Sequence, residues 1–362
     1  MRVLAAERAT ALARARLRPG ARGSVHSVFA RTINLTLDQE REWERDWPLA
    51  RRPDRELDAR SWGPGGRGQG VEDRVWVSIH LQSLSVPLVS PFGLTCRVAF
   101  PAAPGDYPAS GITFFERPLA GIPPTVVPGS PVRVDAGVVW LGDAMRVDVT
   151  RARVIDATLP VFAPMPSVHA VCRTALARVR SGLLPALAGI LGIVPLPDDS
   201  LAPLAAPRLA RLARATACAH ADLCQQAARA LLGLGPGLTP AGDDLIAGWV
   251  AGLWTSGTEG RQLVHLVGRG LLAAAAERTT PLSRAFLAAA LAGAAAEPLG
   301  RTIRRPEPAM ISALLRTGAT SGADSLAGYL LARWARDPAT LPAAARLAEA
   351  PLARAVFTAT SA

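Results

Sequence analysis

The sequence contains no lysine; all 40 of its basic residues are arginine. That absence closes off a P-loop lysine, the strand lysine of a protein kinase and any Schiff base on this chain. Cysteine is scarce as well. Four in 362 residues, without framework spacing, argue against disulfides and for a reducing cytoplasm. The cluster Cys218, His220, Asp222 and Cys224 lacks zinc spacing, and a helix would turn Cys218 and His220 to different faces. Aromatic residues make up 5% of the chain and do not interleave with a basic stripe, so no nucleic-acid partner is expected despite a net charge of +11. Long apolar runs are missing too. The uncharged stretch at residues 181–197 is broken by Pro185 and Pro195, and no apolar segment follows the arginine-rich start. A soluble chain with no membrane partner and no secretory signal is expected.

What the chain does contain changes character once. Residues 1–17 place Ala, Leu and Arg at helical spacing and read as a short surface helix or a frayed terminus. Residues 24–37 (SVHSVFARTINLTL) read as one or two strands, with His26 in a structural place. The charged residues 41–58 and the loop GPGGRGQG (63–70) read as a mobile connection. Short strand-like runs follow at 75–84, 95–100, 111–115, 132–135, 137–141 and 145–149, separated by Pro and Gly. Strands without intervening helical pattern predict a β-barrel or sandwich-like domain over residues 1–160. Beyond Pro166 the periodicity turns helical, with Ser167 as a cap, a long helix over 207–232, and further helices at 242–254, 259–277, 281–296, 308–317, 323–336 and 341–357. The expected fold class is thus α+β, with an all-α bundle over residues 161–362.

The bundle is organised around residues 232–253, LGLGPGLTPAGDDLIAGWVAGL, which read as loop, cap and helix. Glycines permit positive φ and close approach, Thr-Pro opens a helix, and a helix N-terminus favours a small anion. The pattern recurs at residues 318–329, GATSGADSLAGY, where Gly237 aligns with Gly318, Thr239 with Thr320, Gly242 with Gly322 and Asp244 with Asp324. The small face formed by Ala247, Gly248, Ala251 and Gly252 predicts that the two repeated helices touch and that their loops converge. The candidate binding residues are Gly235, Gly237, Thr239, Gly242, Gly318, Thr320, Ser321 and Gly322, with Thr280 and Ser283 from a third hydroxyl-rich helix start. Asp243, Asp244 and Asp324 are the candidate catalytic carboxylates, able to favour the helix dipole, hold a cation or hydrogen-bond a substrate amide. Arg301, Arg304 and Arg305 offer counter-charge. Read without further context, the same carboxylates could instead hold Mg²⁺ for a nucleotide-phosphate enzyme, or the loops could serve a non-catalytic, structural subunit.

The segment GLGPGLTPAGDDLIAG, with the later GATSGADSLAG, resembles the signature of a bacterial family that includes the oxamate carbamoyltransferase subunit AllH. That family typically has Thr-Pro-Ser-Gly-Asp-Asp, so Ala241 departs from it and removes a hydroxyl at one position. The resemblance implies carbamoyl transfer between carbamoyl phosphate and oxamate, in oxalurate and allantoin (purine) catabolism, performed with other subunits. The expected ligand is a small anionic substrate, with no cofactor expected and Mg²⁺ left possible.

Overall fold

The computed structural model describes residues 1–28, 32–38, 74–82, 93–97, 122–164, 167–179, 181–198 and 201–347. The expected strand at 111–115 and the glycine loop at 63–70 lie outside the described residues. The chain divides into two compact units, Met1–Ala157 and Thr158–Ala362.

The first unit is one mixed nine-stranded sheet: β1 (Arg2–Thr10), β2 (Arg22–Val28), β3 (Thr32–Asp38), β4 (Arg74–Gln82), β5 (Gly93–Arg97), β6 (Pro131–Asp135), β7 (Val138–Leu141), β8 (Met145–Asp148) and β9 (Arg153–Ile155), with a short helix α1 (Ala11–Arg16) after β1. The order is β5-β4-β3-β2-β6-β7-β8-β1-β9, and β1 also pairs with β5, so the pairings return on themselves. Among the described residues all strands belong to this one sheet.

Period-two alternation sets the core. Ile33, Leu35 and Leu37 point inward, and Ile33 and Leu35 lie opposite Ile79 and Val77. Across the next hairpins the same face carries the pairs Val134–Val139, Val132–Leu141, Leu141–Met145 and Val139–Val147. Only the two residues Ala136 and Gly137 join β6 to β7, both at positive φ (47° and 80°), the tight turn that matches strand twist. On the other face Trp140 sits between its cross-strand neighbours Arg133 and Arg146, whose guanidiniums lie 4.3 and 5.5 Å from its ring centre.

The helix expected over residues 1–17 is corrected. Residues 2–10 form β1, which runs parallel to β8 and β9 and antiparallel to β5, and only residues 11–16 are helical. The ladder on several strands overrides the helical propensity of Ala, Leu and Arg. Thr10 ends the strand and caps α1, its hydroxyl accepting from the Ala13 amide at 3.0 Å.

The second unit is helical: α2 (Val168–Leu176), α3 (Leu184–Ile190), α4 (Ala202–Ala217), α5 (Ala221–Arg229), α6 (Ala241–Trp254), α7 (Thr258–Arg278), α8 (Pro281–Leu291), α9 (Glu297–Arg304), α10 (Pro308–Leu315), α11 (Ser321–Arg336) and α12 (Leu341–Arg346). The single helix expected over 207–232 is two. Ala219, at φ 51°, ends α4, and the His220 ring nitrogen caps α5 by accepting from the Leu223 amide. Helices α3 and α9 escaped the sequence reading, being short and opened by Pro-containing turns.

The core centres on α6 and α11, which contribute Leu245, Ile246, Trp249, Val250, Leu326, Tyr329 and Leu330. Trp249 is fully buried, and its indole N–H donates to the Thr216 hydroxyl at 3.0 Å, which itself donates to the Leu212 carbonyl. A buried indole N–H without that partner would cost stability.

Candidate functional site

The repeated helices meet backbone to backbone. A Cβ added at Gly248 would collide with the Ser325 carbonyl, and one at Gly328 with the Leu245 carbonyl. Gly248 stands four residues after Asp244 and Gly328 four after Asp324, so each copy offers its glycine to the residue that follows the other copy's aspartate. The starts of the helices are held alike. A Cβ at Gly242 would strike the Leu231 carbonyl, and one at Gly322 the Leu314 carbonyl. Small residues therefore fix how closely α6 and α11 approach, and that approach brings the two loops together: the Thr239 and Ser321 hydroxyls stand 3.3 Å apart.

Neither helix start has a side-chain cap. The N-caps are Pro240 for α6 and Thr320 for α11, and neither makes a capping side-chain bond. The threonines of the motif are thus released from the task that the Thr-Pro pattern suggested, whereas Thr280 does cap α8, accepting from the Ser283 amide at 3.1 Å. Thr239 and Ser321 instead stand where their hydroxyls lower the Asp244 pKa, and Thr320 does the same for Asp324.

Asp244 is 7% exposed and Asp324 is fully buried. Burial pushes the Asp244 carboxyl up to about 8, with the nearby Asp324 and Asp243 adding to the rise and the two hydroxyls opposing it. Burial likewise pushes Asp324 up to about 7, against the Leu183 amide, which donates to Oδ1 at 2.5 Å, and the Thr320 hydroxyl. Each carboxyl keeps one oxygen, Oδ2, buried without a partner. Carboxyls with an unpartnered oxygen can donate to a carbonyl when protonated, accept from an NH₂, or exchange a proton near neutral pH.

Asp243 faces another way. Its Oδ1 accepts from the Gly233 amide at 2.8 Å and its Oδ2 from the Thr279 hydroxyl, so it ties the loop before α6 to the loop before α8. Burial raises its pKa and the Thr279, Gly233 and Ser283 bonds lower it. Thr280 and Ser283 both donate to the Leu238 carbonyl, at 2.5 and 3.2 Å, and so hold the tip of the signature loop from behind.

The glycines divide by task. Gly235 (φ 106°) is packed near Ala241, while Gly237 (φ 100°) faces open space. Gly318 (φ 63°) lies against the Ser321 hydroxyl. Residues 236–238 and 318–319 are exposed, with the half-buried hydroxyls and then the buried carboxyls beneath them in sequence and in exposure.

The structure thus gathers Thr239, Ser321, Thr320, Asp244 and Asp324, and sets Asp243, Thr280 and Ser283 behind the loop. It turns the arginines elsewhere: Arg301 pairs with Glu297 at 2.8 Å, and Arg304 donates to the Thr158 carbonyl. Sequence reasoning missed Gly182 and Leu183. Gly182, at φ 75°, passes so close to the Asp324 carboxyl that a Cβ there would clash with it, and this approach delivers the Leu183 amide. The Ser-Gly step after the helical run at 168–179 was the available signal. Among the described residues no group of three or more His, Cys, Asp or Glu side chains is arranged to hold a metal ion.

Residues 231–333 match the family model described as oxamate carbamoyltransferase subunit AllH, a span that contains both copies of the motif and everything between them. That span is similar to the family whose signature the two loops resemble. No curated protein and no solved structure gives a significant match. Among the described residues no helix is long and apolar enough to cross a membrane.

Proposed function

We propose that this chain is a subunit of a carbamoyltransferase that moves the carbamoyl group between carbamoyl phosphate and oxamate, with its substrate site on the two repeated loops. The observation that carries the reading is the convergence of both motif copies, Thr239 against Ser321 over Asp244 and Asp324, inside the span matched by the family. Carbamoyl transfer asks little covalent work of a protein. The acceptor nitrogen attacks the carbamoyl carbon, the bond from that carbon to the phosphate oxygen breaks, and the nitrogen sheds a proton. Positioning and fixed hydrogen-bond donors supply most of the catalysis.

In this reading Thr239, Ser321 and Thr320 orient the substrate, and Asp244 and Asp324, with pKa values near neutrality, hydrogen-bond the carbamoyl group and take up the proton. Asp243, Thr280 and Ser283 position the loop that carries Gly235, Gly237 and Gly242. The partners are the other subunits of a hetero-oligomeric, cytoplasmic enzyme of oxalurate and allantoin degradation.

The test is phosphate release from carbamoyl phosphate with oxamate as acceptor, by the chain alone and mixed with candidate partner subunits, for the wild type and Asp244→Asn. Turnover that falls by orders of magnitude in the variant supports the site. Turnover indifferent to the substitution moves the chemistry to a partner and leaves this chain a structural subunit. Dependence on added Mg²⁺ and a nucleotide would replace the carbamoyl reading altogether.

A further inference from the structure

The buried floor of the site has the wrong charge for a phosphate. Asp244 and Asp324 belong to different copies of the motif, and each has an Oδ2 atom that is buried without a hydrogen-bond partner. The charged groups that act on Asp244 are Asp324 and Asp243, both carboxyls, and no cationic group is among those that shift Asp244, Asp324 or Asp243. The other groups facing the pair are hydroxyls, those of Thr239, Ser321 and Thr320, and one amide, that of Leu183. No guanidinium takes part among the described residues. An anion driven into this floor would meet carboxyl oxygens and no counter-ion, at a desolvation cost nothing there offsets.

A neutral planar amide meets the opposite situation. Its carbonyl oxygen needs a donor and its NH₂ needs acceptors; a protonated carboxyl supplies the first and a second carboxyl oxygen the other. Such a buried oxygen without a partner is costly in a folded protein and calls for an explanation. The outer layer has the reverse polarity. The starts of α6 and α11 lack side-chain caps, carry the positive ends of their helix dipoles, and follow the exposed glycine tips at 236–238 and 318–319.

We propose that Asp244 and Asp324 together form a receptor for the terminal carboxamide or carbamoyl group of a small ligand, one carboxyl donating to its C=O and the other accepting from its NH₂, while the ligand's anionic end stays outward at the loop tips. The proposal deepens the carbamoyltransferase reading of this site and rests on it. It fixes the direction in which the substrate lies: the amide end goes in and the carboxylate or phosphate stays out.

Calorimetric titration of the full chain, without partner subunits, tests the direction independently of turnover. The probes are oxamate, pyruvate and inorganic phosphate. Pyruvate keeps the keto-carboxylate but has a methyl where oxamate has NH₂. Oxamate is expected to bind at least about tenfold more tightly than pyruvate, because a site built to bond an NH₂ rejects the analogue that leaves its acceptors unpaired. Asp324→Ala and Asp244→Ala should collapse that ratio toward one while weakening pyruvate far less. Equal binding of oxamate and pyruvate, tighter binding of phosphate, or no binding of oxamate at millimolar concentration overturns the proposal. If neither variant folds, the wild-type ratio decides alone. Carbamoyl transfer by the assembled enzyme, combined with indifference to the NH₂, would sink this orientation and leave the functional reading standing. Tenfold selectivity for oxamate without turnover in any mixture would do the reverse.

Discussion

Asp244 and Asp324 set the pH behaviour of the molecule. Unfolded, each ionises near the ordinary value of 3.8; folded, they hold their protons up to about 8 and about 7. Between those limits the folded state binds more protons than the unfolded state, so stability is greatest below pH 4 on this account and declines as pH rises through the window. The slope is at most about 1.4 kcal/mol per pH unit for each carboxyl. Asp244→Asn, which cannot ionise, should flatten the fall in urea midpoint between pH 5 and pH 8; an unchanged slope would place the titration elsewhere. Preference for an amide ligand should weaken over the same range, as the carboxyls lose the proton that donates to the ligand's carbonyl, and calorimetry at pH 6 and pH 9 reads that directly. At Asp243 the expectation differs in kind. Asp243→Ala strands the Gly233 amide and frees Thr279, so it should cost roughly 1–3 kcal/mol in denaturant unfolding at any pH from 6 to 8.

Among the elements, the crossing of α6 and α11 is the least forgiving. Gly248→Ala or Gly328→Ala pushes a methyl into a facing backbone carbonyl, which must force the helices apart and should cost about 3 kcal/mol or more. Gly268→Ala on α7 is the control: its Cβ would rest 3.4 Å from a Leu291 side-chain carbon, an ordinary contact, and the gain in helix propensity should leave the melting temperature level or raised. Melts of the three variants check both expectations. These elements were readable because the evidence for them was local: the Gly-x-Thr and Gly-x-Asp repeat, the small-residue face, and the alternation of Ile33, Leu35 and Leu37. Strand β1 was not readable, since residues 2–10 become a strand only through β5, β8 and β9, all distant in sequence. The roles of the aspartates were equally hidden. Asp243 and Asp244 are neighbours in sequence, yet the turn of α6 sends one to Gly233 and the other to Ser321.

At the scale of the molecule, every hydrogen bond described at the site, from Leu183 to Ser321, falls within Thr158–Ala362, and so does the core around Trp249 and Tyr329. Residues 158–362 expressed alone should therefore melt cooperatively and retain oxamate binding within a few-fold of the full chain. Loss of cooperative melting in that fragment would show that the helical unit depends on residues 1–157. The reciprocal glycine contact carries one more consequence. Two copies that grip each other in this way are related by an approximate two-fold axis, like a small dimer folded from a single chain. A perfect axis would make both halves of the pocket identical and blind to which end of a ligand had entered. Here the axis is broken at chosen points: Ala323 stands where the first copy has Asp243, and only Asp324 receives a backbone amide from Leu183. Fusing the halves lets each drift on its own, and that divergence makes the two loops unequal partners.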